Sequence, residues 1–89
     1  MSSRKVGTRK DRYAIVVHNS DDIPFDHVIQ TFQMILGHEL TQAANCAMAI
    51  HNRGSYVVKS YNDKEYADTT VELLIDYELD AEVLDLKKK

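Results

Sequence analysis

The stretch HNSDD, residues 18 to 22, places five polar side chains where a hydrophobic run ends and a helical pattern begins. Ile23, Pro24 and Phe25 follow directly. A turn or a helix start uses one or two such side chains, so this corner holds a surplus of hydrogen-bond acceptors beside an apolar segment. The corner is therefore either a very polar turn that caps the next helix or one side of a binding site.

His51 is the second residue whose chemistry calls for an explanation. The helical spacing of its segment predicts one inward-facing stripe, formed by Leu40, Ala44, Ala47 and His51. One interpretation of His51 is a core histidine that is hydrogen-bonded to a backbone carbonyl. The other is a polar group that meets the acceptor-rich corner beside apolar helix faces.

A primary amine would satisfy both features. An α-ammonium group is a compact cation with three N–H donors and no acceptor, so holding it takes several acceptors that point inward. An amide oxygen, a carboxylate and a neutral imidazole nitrogen can supply them. Capture of a terminal amine is a known mode of peptide recognition, and an apolar pocket alongside would read the first side chain.

Signatures of catalysis are few. The segment HELTQ, residues 38 to 42, begins like the HExxH motif of zinc proteases, but Gln42 stands where the second metal ligand should be. The remaining histidines show no metal-ligand spacing with Cys46, the single cysteine. Cys46 lies in an alanine-rich segment and is expected to be a buried, unreactive thiol. We therefore expect a binding protein rather than an enzyme.

These residues must be positioned by a few short elements. The run YAIVVH, residues 13 to 18, is rich in β-branched residues and predicts a buried strand. Pro24 suits the first turn of a helix, and Gly37 is expected to end that helix as its C-terminal cap. The apolar stripe of this helix is Phe25, Val28, Ile29, Phe32, Ile35 and Leu36.

The rest of the chain supplies four more elements. Gly54 is expected to end the second helix, and Asn62 with Glu65 resembles a capping box at the start of the third. The predicted elements are a helix over residues 39 to 53, a strand over 55 to 61, a helix from 62 to about 79 and a strand over 82 to 86. The order β-α-α-β-α-β predicts an α+β fold, a single small domain in which three helices cover a three-stranded, mainly antiparallel sheet.

Charge divides the chain into three parts. Residues 1 to 12 carry a net charge of +4 without periodicity, which predicts a flexible basic arm, and residues 87 to 89 form a basic tail. The folded part, residues 13 to 86, holds three basic and thirteen acidic residues. A body this acidic repels phosphate backbones, so we expect no nucleic-acid partner. We also expect no membrane partner and a reducing, cytoplasmic setting, because no apolar run reaches the length of a span and no internal disulfide can form.

Two segments in fixed register resemble the ClpS adaptor of bacterial Clp proteases. Residues 19 to 25, NSDDIPF, are similar to the family pattern N-D-D-x-T-P-M, and residues 49 to 54, AIHNRG, are similar to V-H-x-x-G. The interval between Asn19 and His51 matches that of the family without a gap. A third segment, residues 61 to 69, resembles F-x-x-E-x-A-E-T with one extra residue.

The resemblance implies the same fold, no catalysis and no cofactor or metal. Members of the family hold substrate proteins by an N-terminal residue, usually a bulky hydrophobic one, and deliver them to an AAA+ unfoldase of the ClpA or ClpC type. Asn19 and His51 match residues that bind the α-amino group, and Asp21, which matches the second acid of N-D-D, is assigned to the same group. Glu65 is expected to face the unfoldase. The hydrophobic side-chain pocket would be lined by Ile23, Phe25, Val28, Ala47 and Ile50.

Several positions depart from the family pattern. Ser20 replaces an Asp that contacts the amine, and the loss of a charged hydrogen bond costs about 1.5–3 kcal/mol. Phe25 and Ala47 each replace a Met, so the pocket is expected to be reshaped. Thr70 stands where a Lys that helps to dock the unfoldase is expected. The alternative hypothesis is therefore an interaction module or decoy that docks on an unfoldase without carrying a substrate, with the acidic third helix as its working surface.

Overall fold

The computed structural model describes residues 12 to 86, so the predicted tail and all of the predicted arm except Arg12 lie outside the described residues. The observed order of elements is the predicted β-α-α-β-α-β, and the α+β class is confirmed. The elements are β1 (Tyr13–His18), α1 (Phe25–Thr31), a π-helical continuation of α1 (Phe32–Leu36), α2 (Leu40–Arg53), β2 (Ser55–Tyr61), α3 (Lys64–Asp76) and β3 (Asp80–Asp85).

The sheet has the strand order β2-β1-β3, and both pairings are antiparallel. At one end, Tyr13 of β1 lies opposite Tyr61 and Asp85. At the other end, His18 lies opposite Ser55 and Asp80. We refer to these as the Tyr13 end and the His18 end of the sheet. The acceptor-rich corner follows His18, so the register brings the beginning of β2 and the beginning of β3 beside it.

The core lies between the helices and one face of the sheet. Ile15 and Val17 of β1 are almost completely buried and form one cluster with Phe32 after α1 and Leu74 of α3. Such interleaved apolar side chains are what hold a domain of this size together. Among the described residues, no helix is long and apolar enough to cross a membrane.

Two glycines end helices as the sequence predicts. Gly37 follows α1 and its π-helical continuation with a φ of +73°, and Gly54 follows α2 with a φ of +90°. A residue without a Cβ adopts this left-handed conformation with little strain, which is why glycine is common after a helix. Pro24 lies one position before the first residue of α1 rather than within its first turn.

The predicted boundaries of the third helix are wrong at both ends. Asp63, not Asn62, caps α3, because its Oδ1 atom accepts a hydrogen bond of 3.0 Å from the Glu65 amide. The helix ends at Asp76, and Glu78 then turns the chain with a φ of +74°. A glutamate does not favour a left-handed conformation, so this turn could not be predicted from the sequence. As a result β3 begins at Asp80, two residues earlier than predicted.

The Tyr13 end of the sheet is closed by paired groups. Arg12 makes two hydrogen bonds to the Asp85 carboxylate, of 2.9 and 3.0 Å. Its main chain donates to the Tyr61 carbonyl and accepts from the Leu86 amide, at 3.1 and 2.7 Å. Arg12, which the sequence analysis assigned to the basic arm, is therefore part of the folded domain.

Candidate functional site

A cavity of about 540 Å³ opens at the His18 end of the sheet. Its walls come from the corner after β1, the first turn of α1, the C-terminal half of α2 and the beginning of β3. All eight residues that the sequence analysis assigned to the amine site and to the side-chain pocket lie on this wall: Asn19, Asp21, Ile23, Phe25, Val28, Ala47, Ile50 and His51.

The inner part of the cavity is apolar. Ala47 and Ile50 on α2 are buried, and Val17 and Leu79 line the cavity from the sheet side. The small side chain of Ala47 leaves space where a larger residue would fill it. Phe25 is 41% exposed, so it stands at the mouth of the cavity rather than in its interior. This arrangement can accept one apolar side chain, whose burial removes apolar surface from water.

The polar corner does not cap α1. Pro24 precedes the helix, which has no side-chain hydrogen bond at its N-terminus. Ser20 makes the turn instead: its carbonyl accepts from the Ile23 amide and its Oγ accepts from the Asp22 amide, both at 3.4 Å. The side chains of Asn19 and Asp21 have no hydrogen-bond partner among residues 12 to 86. Of the surplus acceptors predicted from the sequence, these two are therefore available to a ligand.

His51 lies in the last turn of α2 and lines the cavity, but it is exposed. Its predicted place on the inward face of the helix is therefore wrong, and so is the interpretation of His51 as a core histidine. The inward face carries Ala43, Cys46, Ala47 and Ile50 instead. An alanine-rich helix marks its buried face weakly, because small residues fit either side. The orientation of α2 about its axis differs from the predicted one and places His51 at the rim of the cavity. There His51 has no hydrogen-bond partner in the described part of the chain.

The main chain ties these two polar elements together. The Asn19 amide donates a hydrogen bond of 2.8 Å to the carbonyl of Gly54, which follows α2. His51 is three residues before Gly54, so this bond fixes the corner relative to the end of the helix that carries the imidazole. Two segments 32 positions apart in sequence thus form one rim.

The contribution of β3 to the cavity was not predicted from the sequence. Asp80 lines the cavity and lies directly opposite His18 in the sheet. His18 also lines the cavity, and its Nε2 atom lies 2.8 Å from Oε2 of Glu82. The antiparallel register of β1 and β3 could have indicated both residues, but the late predicted start of β3 concealed Asp80.

The electrostatics of the cavity favour a cation. Asp21 and Asp80 both line it, and none of the described residues that line it is a lysine or an arginine. An apolar interior with a rim of carboxylate, amide and imidazole acceptors is complementary to a group with a positive charge and N–H donors.

Residues 8 to 84 match the sequence model of the family described as ATP-dependent Clp protease adaptor protein ClpS. The chain belongs to the ClpS family. The fold is similar to that of Agrobacterium tumefaciens ClpS2, whose structure was solved bound to L-phenylalaninamide. The TM-score is 0.77 at 19% identity, and the match covers 86% of this chain and 99% of that one. The resemblance noted in the sequence is therefore confirmed at the level of family and fold, and the chain is a divergent Clp protease adaptor.

Glu65, the residue expected to face the unfoldase, lies far from the cavity of this ClpS-family chain. It is exposed in the first turn of α3, which follows the Tyr13 end of the sheet. Thr70, which occupies the expected place of a docking Lys, is buried and donates a hydrogen bond of 2.9 Å to the Tyr66 carbonyl. Position 70 therefore offers no polar group to a partner.

The remaining chemically reactive side chain is Cys46. It is a buried free thiol on the inward face of α2, and burial raises its pKa above the ordinary value. A raised thiol pKa disfavours the nucleophilic thiolate. Across residues 12 to 86, no group of three His, Cys, Asp or Glu side chains is arranged to hold a metal ion.

Proposed function

We propose that this chain is a cytoplasmic adaptor that captures substrate proteins by a hydrophobic N-terminal residue and delivers them to an AAA+ unfoldase of the ClpA or ClpC type. The observation that carries the proposal is the meeting of free acceptors and an apolar cavity. Asn19, Asp21 and His51 line one rim, and none of their side chains has a partner among the described residues.

The free acceptors match the needs of an α-ammonium group. The group has three N–H donors, and the amide oxygen of Asn19, the carboxylate of Asp21 and a ring nitrogen of His51 offer three acceptors. Because these acceptors make no hydrogen bonds to other groups within residues 12 to 86, binding an amine breaks no bond in this part of the chain. Acetylation of the amine would remove its charge and two of its donors, so it should abolish capture.

The apolar part of the cavity would take the first side chain of the substrate. Burying a Leu, Phe or Met side chain contributes about 1.5–3 kcal/mol relative to its exposure in water. L-phenylalaninamide, the ligand of Agrobacterium ClpS2, carries a free amine and a benzyl group. A cavity with an acceptor-lined rim and an apolar interior would accept both features here.

Delivery requires a second surface that remains free when the cavity is occupied. Glu65 lies near the Tyr13 end of the sheet, whereas the cavity opens at the His18 end. An unfoldase that contacts Glu65 would leave the substrate site accessible. Exchange of Glu65 for Lys should weaken binding of an isolated unfoldase N-terminal domain, while Glu72→Lys, an equal charge change on an exposed position of the same helix, serves as the control.

Titration with labelled peptides tests amine capture. Peptides beginning with Phe, Leu, Tyr or Trp are compared with N-acetylated copies by fluorescence anisotropy. We expect micromolar binding of the free peptides, loss of binding on acetylation, and loss of most affinity in His51→Ala. Asn52→Ala, which changes the next exposed residue outside the cavity, should bind within about twofold of the wild type.

Two other outcomes would contradict substrate capture. Equal binding of free and acetylated peptides would show that the amine is not recognised. No binding of any peptide, together with binding of the chain to an unfoldase, would favour the alternative of a docking module that carries no substrate.

A further inference from the structure

We propose that Asp80 is a specificity-determining residue of this cavity, whose carboxylate helps to hold the α-ammonium group from the β3 side. The inference rests on the proposed capture of an N-terminal amine. It concerns a residue outside both sequence motifs. Asp80 lines the cavity because β3 starts next to the end of β1.

The acceptor-rich corner supplies little negative charge to the cavity. Asp21 is its only acid on the cavity wall, and Asp21 is exposed. Ser20 is neutral, and its hydroxyl oxygen already accepts from the Asp22 amide at 3.4 Å. A single exposed carboxylate attracts a cation weakly, because water screens the pair. Asp80 is also exposed, and a second carboxylate on another wall adds to the attraction because both negative charges then act on one bound cation.

Asp80 is near enough to take part. It is the direct antiparallel neighbour of His18, the residue that precedes Asn19. Directly opposed residues in such a pair have Cα atoms about 4.5–5.5 Å apart. The main chains of Asp80 and of the corner thus adjoin each other at the cavity, which both line.

The carboxylate of Asp80 is also available. Among residues 12 to 86 it has no hydrogen-bond or ion-pair partner. His18, its direct neighbour across the sheet, contacts Glu82 instead, at 2.8 Å. Asp85 shows the contrast, since at the other end of the same strand it is bound by Arg12 at 2.9 Å.

The backbone that carries Asp80 is well fixed. Leu79 is 4% exposed and its amide donates a hydrogen bond of 3.0 Å to the Leu74 carbonyl. Pairing with β1 then begins at Asp80 itself. An acceptor on a fixed backbone loses less conformational entropy when it binds, so it contributes more to affinity.

The test compares Asp80→Asn with Asp76→Asn, which removes the same charge from an exposed position at the end of α3, outside the cavity. A peptide beginning with free Phe is titrated against both variants and the wild type. We expect Asp80→Asn to weaken binding roughly five- to thirtyfold and Asp76→Asn less than about twofold. Asp80→Glu, which keeps the charge, should stay within about threefold of the wild type.

A copy of the peptide that lacks the amine, with a 3-phenylpropionyl group in place of Phe, separates amine binding from a structural effect. The Asp80→Asn variant should bind this copy with the same residual affinity as the wild type does. The melting temperature of the variant protein should also match that of the wild type. An equal loss for both ligands would overturn the inference, because it would show that Asp80 shapes the cavity without contacting the amine.

Failure of this inference is distinguishable from failure of the proposed function. If the wild type prefers the free amine and Asp80→Asn binds as well as Asp76→Asn does, only the role of Asp80 is refuted. If the wild type binds free and acetylated peptides equally, amine capture and the role of Asp80 are refuted together.

Discussion

The two ends of the sheet treat their polar groups in opposite ways. At the Tyr13 end, Arg12 binds Asp85 through two hydrogen bonds and its main chain continues the pairing on both sides. At the His18 end, the side chains of Asn19, Asp21, His51 and Asp80 line a cavity without partners among the described residues. The same three strands thus end in paired groups at the Tyr13 end of the sheet and in the open rim of a cavity at the His18 end.

The difference shows how this small domain separates stability from recognition. Paired groups and packed rings at the Tyr13 end contribute to the free energy of unfolding. At the His18 end, His18 is paired with Glu82. The side chains of Asn19, Asp21, His51 and Asp80 contribute little to the free energy of unfolding, because they are exposed and have no partner among the described residues, so they are available to a ligand. Positions at which side chains depart from full internal pairing are where a functional site is expected.

The largest effect should come from damage to the Tyr13 end. The Tyr61 ring is partly buried and meets the Tyr66 ring edge-on, with centroids 4.6 Å apart. We expect Tyr61→Ala to lower the free energy of unfolding by about 2–4 kcal/mol, because it removes core packing. Urea denaturation measures this change.

The same variant also tests the separation of the two ends. Folded Tyr61→Ala should bind a Phe-initiated peptide as the wild type does. Tyr66→Ala, which removes the more exposed ring of the pair, should cost only about 0.5–1.5 kcal/mol. A loss of peptide affinity without a loss of stability in Tyr61→Ala would contradict the comparison.

A change at the His18 end should have the opposite profile. Asn19→Ala removes one acceptor of the amine, so we expect affinity for the free peptide to fall by about 1.5–3 kcal/mol. Its free energy of unfolding should change by no more than about 0.5 kcal/mol, since the Asn19 side chain is exposed and has no partner in the described part of the chain. Isothermal titration calorimetry and urea denaturation give the two values. Asn45→Ala, on the exposed face of α2, is the matched control and should change neither.

His38 sharpens the comparison, because it is unpaired and buried rather than unpaired and exposed. It is 5% exposed, and neither ring nitrogen has a hydrogen-bond partner among the described residues. Burial and then the nearby charge of Lys59 lower the pKa of His38. The Val58 backbone is close enough to raise the pKa of His38 slightly, but its geometry is not that of a normal hydrogen bond.

The stability of the fold should therefore depend on pH through His38. The unfolded chain takes up this proton near the ordinary histidine pKa of about 6.5, before the folded chain does. Stability should be full above that pH and should decrease as pH falls below it, by at most about 1.4 kcal/mol per pH unit for one proton. His38→Phe should reduce the dependence measured by urea denaturation between pH 7 and pH 5. An unchanged dependence would show that His38 is not its source.

The smallest effect should come from adding charge to the open rim. Ser20→Asp brings a second carboxylate to the corner, and we expect it to strengthen binding of the free peptide roughly three- to fivefold. The acetylated copy should gain nothing. Ser20→Asn, of similar size but neutral, is the control, and an equal gain in both variants would show that charge is not the cause.

The sequence predicted the order of elements well because strong local signals mark it. The β-branched run 13 to 18 and the glycines at 37 and 54 each have one favoured conformation. Weak local signals account for the errors. Asn62 and Asp63 are both good caps, the alanines of α2 fit either face, and Glu78 adopts a conformation that its side chain does not favour.

The candidate site was predictable where the family resemblance assigned a residue to it, in the two motifs and at Val28 and Ala47 beside them. The motifs contain Asn19, Asp21 and His51, and the resemblance to the ClpS family identifies them from the sequence alone. Asp80 becomes part of the cavity through strand register and the turn at Glu78, which depend on the packing of α3 against β3. Tertiary packing therefore decides the part of the rim that the sequence did not reveal.

The most direct test is a titration followed residue by residue by ¹H–¹⁵N NMR, with a peptide that begins with phenylalanine. We predict that the amide signals of Asn19, Asp21 and His51 shift most, that those of Arg12 and Tyr61 stay in place, and that the acetylated peptide causes no shifts. Shifts that concentrate at the Tyr13 end, or that are the same for the acetylated peptide, would contradict it.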